Sequence, residues 1–324
     1  MHFGELAGNT ALKRQLSAEI DAGRFPHALL IEGQPGSGRR TLARQIAAAA
    51  VCTGSGEHPC GVCAACRKTA HPDVTLLDGS ETPLSVDAIR QVRREAFVMP
   101  NEAPYRVMLL AEAQTMTVQA QNALLKILEE PPAQVLFLLT CENRTQMLDT
   151  IRSRCITLTM QPVEWAEAAP VLRARLPDTE EEQLRRAHSL FGGWIGQVLA
   201  GVCDGTFREV LELTPQFAAA VIAPEELPLL LLTARLEKNR ELTAGVLSGL
   251  RLIFRDALAL SAGGDTSVST APQQARLLAG RLNGPRLMAL AEQTERLQEA
   301  LRRNMNNTLF LTRMCACLRQ AAGY

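Results

Sequence analysis

The sequence has few aromatic residues, no excess of either charge and no long apolar run. Aromatic residues make up 4% of the 324 positions, too few for the stacking platforms on which proteins bind single-stranded nucleic acid. Basic and acidic residues both number 34, which disfavours a protein that holds nucleic acid alone through a strong positive field. The longest apolar runs, such as 217–223, fall far short of the roughly 18 residues that a membrane span needs.

The start of the sequence also lacks a basic and then apolar leader. We therefore expect a cytoplasmic location and no membrane partner. The hydrophobic share of 47% and the charged share of 21% are typical of a globular protein. A length of 324 residues exceeds the ~250–300 residues at which one hydrophobic core stops growing, so we expect two or three domains.

Nine cysteines are present, and an odd number without a leader does not indicate a disulfide framework. Four of them, Cys52, Cys60, Cys63 and Cys66, lie in one short, glycine-rich, polar stretch. Two overlapping Cys-x-x-Cys spacings and an upstream cysteine supply four thiolates, the set that tetrahedral zinc prefers. Because four thiolates leave no position for water, the sequence predicts a structural zinc site. A redox pair, or four unrelated buried thiols, is the alternative.

Apolar runs and amphipathic segments alternate through the first half of the chain. Short apolar runs at 28–32, 74–77, 106–110, 135–140 and 156–160 predict strands, and helical periodicity appears at 3–21, 42–51, 86–97 and 118–130, with Gly23 ending the first helix. Strands that alternate with helices predict an α/β fold with a parallel sheet.

Beyond Pro162 the strand signal disappears and only helical periodicity remains. We predict an α/β domain over 1–162 that carries the cysteine insertion at 52–66. A small helical domain follows over 163–206, with a turn at Gly192 and Gly193, and an all-helical domain covers 207–324.

A strand, a glycine-rich turn and a helix at 28–51 form the arrangement that cradles phosphate. The motif requires a lysine and then a serine or threonine after its last glycine, for phosphate and Mg²⁺ respectively. Arg39 and Arg40 stand there instead, and an arginine has no acceptor atom with which to bind a cation. Ala111 stands where a later strand should end in the metal-supporting aspartate. The candidate phosphate-binding residues are Gly33, Gly36, Gly38, Arg39 and Thr41.

Two losses on the metal side predict that this chain has no robust nucleotide hydrolysis of its own. The intact glycines leave two readings open, weak retained nucleotide binding or a purely structural loop.

The segment Ile151-Arg152-Ser153-Arg154-Cys155 lies between the fourth and fifth predicted strands. An arginine on such a rigid edge can enter a neighbouring subunit's nucleotide site and stabilise the charge on a transferred phosphoryl group. Its planar, permanently charged fork suits that task better than lysine does. The alternative is a solvated surface ion pair.

Several motifs together are distinctive. Ser153-Arg154-Cys155, the segment 121–132 that ends in Glu-Glu-Pro-Pro, and a cysteine knuckle after the loop helix occur in one chain. With them, the chain resembles the bacterial DNA polymerase III clamp-loader family of AAA+ proteins. The resemblance is strongest over residues 1–162, weaker through 192–196, and returns at Asn304-Met305-Asn306-Asn307. It implies an AAA+ parallel-sheet domain, a small helical lid domain and an all-α collar domain that joins subunits.

Within that family, the absence of these metal ligands resembles the pattern of a non-hydrolysing member. Such a member needs no ATP or ADP or binds it only weakly. The resemblance implies that Arg154 acts in trans on the neighbour's ATP, with Arg152 as the alternative. Thr140 takes the polar sensing position, and Gly196 stands where motor subunits carry a second sensing arginine. The implied partners are the gamma/tau motor subunits and the delta subunit in a five-subunit ring. The sliding clamp is reached indirectly and primer-template DNA through the complex.

Two other function classes remain as alternatives. An active clamp-loader motor ATPase would hydrolyse ATP by itself, against which Arg40 and Ala111 argue. A zinc-dependent DNA-binding module would bind DNA alone in a salt-sensitive way, which the balanced charge disfavours.

Overall fold

The computed structural model describes residues 1, 3–4, 6–21, 25–264, 268–301 and 306–324. The predicted helix end at Gly23 and the first part of the motif at 304–307 lie outside these residues. The chain divides into two compact units, Met1–Val171 and Leu172–Tyr324. Among the described residues, none of the helices combines the length and apolarity that crossing a bilayer requires.

The first unit is built around a five-stranded, all-parallel sheet in the order β2-β3-β4-β1-β5. In strand β1, Leu30 lies opposite Leu139 of β4 on one side and opposite Thr157 of β5 on the other. All five predicted strands are confirmed, with ends that move by at most one residue. The strands are β1 Ala28–Glu32, β2 Val74–Asp78, β3 Arg106–Ala111, β4 Val135–Cys141 and β5 Ile156–Thr159.

Every residue of β3 and β4 is buried, because helices cover both faces of the sheet. Alternate residues of a strand point to opposite faces, and β1 follows this rule. Leu29 and Ile31 join a core with Leu42 and Ile46, whereas Leu30 joins the core on the other face, with Ile89 and Leu124. The helices of this unit are α1 Thr10–Asp21, α2 Arg39–Val51, α3 Ala64–Arg67, α4 Val86–Ala96, α5 Val118–Glu129, α6 Asp149–Arg152 and α7 Trp165–Arg175, which crosses the division between the units.

Helix α1 begins at Thr10, so the predicted start at Phe3 is wrong. Gly8 and Asn9 have φ values of +65° and +56°, which a right-handed helix does not allow. A Cβ at Gly8 would lie 2.8 Å from Val163. Close packing against a residue that is distant in sequence therefore holds this turn. The apolar spacing before Thr10 arises because Leu6 packs into the core outside a helix.

The second unit is all helical among its described residues, as predicted. Its longest helix, α12 (Arg240–Ser261), packs against α10 (Thr206–Val221), α13 (Pro272–Arg281) and α14 (Gly284–Leu301). Gly245 and Gly249 let α12 approach α10 closely, since a Cβ at either position would lie 2.5 Å from Val210 or 2.7 Å from Thr214. The predicted domain boundary at 206/207 stays a prediction. The helices are α8 Glu181–Leu190, α9 Ile195–Cys203, α10 Thr206–Val221, α11 Leu227–Ala234, α12 Arg240–Ser261, α13 Pro272–Arg281, α14 Gly284–Leu301 and α15 Asn307–Ala322.

Candidate functional site

The glycine-rich loop joins the end of β1 to the start of α2, as the sequence predicts. Gly36 and Gly38 have φ values of +75° and +85°, which favour glycine. Gly33 cannot be replaced without movement, because a Cβ there would lie 2.4 Å from the Ser37 hydroxyl. Gly38 has no side chain to cap α2, and the Arg39 N–H donates to the Ser37 hydroxyl at 3.4 Å. The remaining N–H groups at the start of this helix are donors of the kind that bind anions.

Arg39, in the place of the phosphate-binding lysine, turns back into the protein. Its Nη1 donates to the Gly33 carbonyl oxygen at 2.6 Å, and its Nη2 donates to the two carboxylate oxygens of Glu112 at 2.7 and 2.6 Å. The side chains of both residues are about nine-tenths buried, at 7% and 10% exposure. The charge at this position is therefore neutralised within the chain.

Glu112 is fully engaged by its surroundings. Besides Arg39, its carboxylate accepts a hydrogen bond from the Gln114 side-chain amide at 2.9 Å. Its backbone N–H donates to the Thr140 hydroxyl at 3.1 Å. Thr140, the predicted sensing residue, is fully buried, and its hydroxyl holds the backbone of Glu112. A carboxylate held by a guanidinium and an amide is poorly suited to polarise water.

The two positions that would serve the metal, 40 and 111, offer no carboxylate of their own. Arg40 forms an ion pair with Asp78 at the end of β2, and Ala111 is buried at the end of β3. Thr41, one residue too late in the motif, is exposed on α2. The structure thus brings Gly33, Gly38 and Arg39 together and leaves Thr41 on the surface.

Arg154 lies in an open cleft of about 690 Å³, which we call the Arg154 cleft. Its Nη2 donates to the Glu129 carboxylate at 2.6 Å, and its Nη1 donates to the Thr150 carbonyl oxygen at 2.8 Å. Burial raises the pKa of Cys155 to about 12, so this thiol stays protonated and adds no negative charge. The cleft is lined by His27, Leu128, Glu129, Ser153, Arg154, Cys155 and Ile156.

Arg152, the alternative arginine, has a different environment. It pairs with Asp149 in the preceding turn of α6 and is absent from the lining of the Arg154 cleft. The two side chains are equally exposed, at 32% for Arg152 and 33% for Arg154, and of the two only Arg154 lines this cleft.

The four clustered cysteines meet at one point after α2. Their Sγ atoms all lie within 4.8 Å of one another, and those of Cys52 and Cys63 are 3.9 Å apart. A Zn–S distance of about 2.3 Å in a tetrahedron separates sulfurs by roughly 3.8 Å. A Cβ at Gly54 would lie 2.6 Å from the Cys60 sulfur, so this glycine makes room for the cluster. The residues present therefore fit a structural zinc ion.

Backbone amides surround these sulfurs. The N–H groups of Cys60, Cys63 and Cys66 each donate to a cluster sulfur at 3.3–3.4 Å. Donation by the Cys66 amide lowers the pKa of Cys63 to about 5, whereas burial raises the pKa of Cys66 to about 12. A metal ion would have to displace the Cys66 proton, as metal binding to thiols requires.

Two acidic partners were not predicted from the sequence. Glu112 is 73 residues from Arg39 and Glu129 is 25 residues from Arg154, so no local spacing connects them. The one available signal is that each acid lies at the end of an element: Glu112 directly follows β3, and Glu129 is the last residue of α5. Gly196, predicted to stand where motor subunits carry a second sensing arginine, lies in α9 of the second unit.

The first unit is thus an α/β domain, with a five-stranded parallel sheet and a glycine-rich loop between β1 and α2 of the kind that cradles phosphate, and a helical carboxyl-terminal region follows it. The comparisons with known proteins narrow this class. Residues 8–164 match the family model described as "DNA polymerase III, delta subunit".

Two relatives illustrate the similarity. The delta' subunit of DNA polymerase III from Pseudomonas aeruginosa is 37% identical over 174 residues, which are 52% of this chain and 53% of that protein. The gamma/tau subunit from Mycobacterium tuberculosis is 39% identical over 158 residues, 47% of this chain and 27% of that protein. The chain thus spans about half or less of these relatives.

A solved structure, a gamma subunit-related protein of DNA polymerase III from Thermotoga maritima, aligns with 95% of this chain and 99% of its own. The identity is 18% and the TM-score 0.46, values that carry no argument about function. The sequence similarities, in contrast, support a relationship to known proteins. Over residues 8–164 and the matched stretches of these relatives, the amino-terminal half of the chain is similar in sequence to the delta' and gamma/tau subunits of DNA polymerase III.

Proposed function

We propose that this chain is the delta prime subunit of a DNA polymerase III clamp loader, a member that does not hydrolyse ATP itself. In this role it stands beside the motor subunits while the sliding clamp is loaded onto primed DNA. The observation that carries the proposal is the contrast between two arginines. Arg39 is closed off in a buried ion pair with Glu112, whereas Arg154 stands in an open cleft.

The closed pair supports a loop without catalysis. A nucleotide that entered would have to break the Arg39–Glu112 pair, and the chain lacks a carboxylate at Ala111 to hold Mg²⁺. ATP or ADP is then bound weakly or not at all, and the glycines serve the fold.

Arg154 supports a role in trans. Its guanidinium is permanently charged and one-third exposed, at 33%, so it can reach a phosphate on an adjacent chain. Arginines supplied in this way are worth about 10³–10⁵ in turnover in other phosphoryl-transfer systems. Arg154 would stabilise the charge that develops on the phosphoryl group held by the neighbouring motor subunit.

The partners follow from the family. We propose that the chain joins gamma/tau motor subunits and a delta subunit in a five-subunit ring, with contact to the sliding clamp and to primer-template DNA through the complex. Helix α11 supports association of the carboxyl-terminal region, because Leu227, Leu230 and Leu231 on it are 61%, 43% and 63% exposed. Such a row of exposed leucines on one helix is typical of a protein interface. Cys52, Cys60, Cys63 and Cys66 would hold a zinc ion that braces the α/β domain.

The similarity to gamma/tau subunits favours one other candidate, an active motor ATPase. It differs in one measurable property, Mg²⁺-dependent hydrolysis by the isolated chain.

One experiment separates these functions. The chain is assembled with the other clamp-loader subunits of its source, and ATP turnover is measured with clamp and primed DNA. We expect Arg154→Ala to assemble normally and to lose at least a large part of the turnover at one motor site, whereas Arg152→Ala, the matched control, keeps it. The chain alone should show no turnover. Full turnover with Arg154→Ala would contradict the trans role, and hydrolysis by the chain alone would favour the motor.

A further inference from the structure

Arg154 already has an anionic partner in the structure, the carboxylate of Glu129. The bond is 2.6 Å long, and the other terminal nitrogen of the guanidinium donates to the Thr150 carbonyl oxygen at 2.8 Å and to the Ser153 hydroxyl at 3.3 Å. A phosphate group that approaches the guanidinium would compete for the nitrogen that Glu129 occupies, because both present negatively charged oxygen acceptors.

Burial shows that this pair is exchangeable. The side chains of Arg154 and Glu129 are 33% and 46% exposed. Ion pairs exposed to this degree favour the closed form by only about 1.5- to 5-fold. The buried pair of Arg39 and Glu112, at 7% and 10% exposure, has no such freedom. Of these two arginines, Arg39 is therefore fixed by its acid and Arg154 is held reversibly.

Glu129 is placed to act on Arg154 without being needed for the fold. It is the last residue of α5, and its side chain extends into the Arg154 cleft. The next residue, Glu130, is also exposed but does not line that cleft. Two adjacent acids of equal charge thus differ in their contact with Arg154.

We propose that Glu129 is a positioning residue that latches Arg154 in its cleft, and that the terminal phosphate of a nucleotide on the neighbouring subunit displaces it. This inference rests on the proposed trans role of Arg154. The latch keeps the guanidinium ordered and masks its charge until a triphosphate arrives. Because the apparent affinity for a ligand falls with the fraction of the competent form, the latch lowers engagement by the factor with which it holds the arginine.

The test uses the assembled clamp loader, with ATP turnover measured over a range of ATP concentrations and of salt. We expect Glu129→Gln to raise kcat/KM for ATP by about two- to fivefold. The gain should shrink as salt rises towards 1 M, because salt screens an exposed pair in the wild-type protein. A merely structural role for Glu129 would not produce this salt dependence.

Glu130→Gln is the matched control, since it removes the same charge one residue away and should leave kcat/KM unchanged. A rate for Glu129→Gln equal to or below that of the wild type, or an equal gain with Glu130→Gln, would overturn the latch. Arg154→Ala in the same assay keeps the two proposals apart. If it removes turnover while Glu129→Gln behaves as wild type, only the latch fails, and if it leaves turnover intact, the trans role itself fails.

Discussion

Removal of the Glu112 carboxylate is the sharpest test of how the phosphate loop has been closed. In Glu112→Ala, the Arg39 guanidinium keeps the Gly33 carbonyl oxygen but loses both carboxylate bonds. The remaining acid beside it, Glu142, has its Oε1 3.8 Å from Nη2 and is 38% exposed. Stranding one partner of a buried ion pair costs about 3–5 kcal/mol. We therefore expect the first unit to open more readily by about a hundredfold to several thousandfold.

The measurement is amide hydrogen exchange in β1 and β4, which reports the opening of the sheet in the first unit alone. Asp78→Ala is the control, because it breaks the ion pair of the adjacent Arg40 at a site one-third exposed, where the loss should be at most about 1 kcal/mol. The double variant Arg39→Met with Glu112→Ala should recover part of the loss, since no unpaired charge remains buried. Equal exchange in Glu112→Ala and Asp78→Ala would refute the reasoning.

Two further predictions concern the neighbouring cysteine cluster and the loop after α4. Gly54→Ala should lower zinc affinity about tenfold or more, because its Cβ would lie 2.6 Å from the Cys60 sulfur. Competition with a chelating dye measures the affinity, and Ser55→Ala at an exposed position is the control. Equal affinities of the two variants would count against the cluster as a metal site. Burial alone would raise the pKa of Asp73, but backbone N–H donors of residues 101–103 outweigh it and hold the pKa below its usual value. Asp73→Asn should thus cost about 2–3 kcal/mol of unfolding free energy at pH 7. The stabilisation by a carboxylate of depressed pKa is present above its unfolded pKa of about 3.9 and is lost as pH falls through the folded value. The difference from wild type in urea unfolding should therefore shrink below about pH 4, and a constant difference would argue against the carboxylate.

Much of the first unit could be predicted because its signals are local. Runs such as 28–31 and 135–139 are continuously apolar since the strands are buried on both faces. The cysteine cluster was also readable, because a thiolate set for zinc requires close spacing. The start of α1 was not, since Leu6 is apolar for a reason of packing and Gly8 is held by Val163, 155 residues away.

The candidate site divides in the same way. The residue types of the sequence alone determined that positions 40 and 111 supply no Mg²⁺ ligand, because the side chains of arginine and alanine offer no oxygen. They did not determine where the side chain of Arg39 goes, or which acid faces Arg154. Those pairings with Glu112 and Glu129 were decided by the parallel sheet, which brings the ends of β1 and β3 to one edge, and by α5, which ends beside the Arg154 cleft. Charge is a property of each residue, whereas its neutralisation depends on distance and burial, and both of these exist only once the chain has folded.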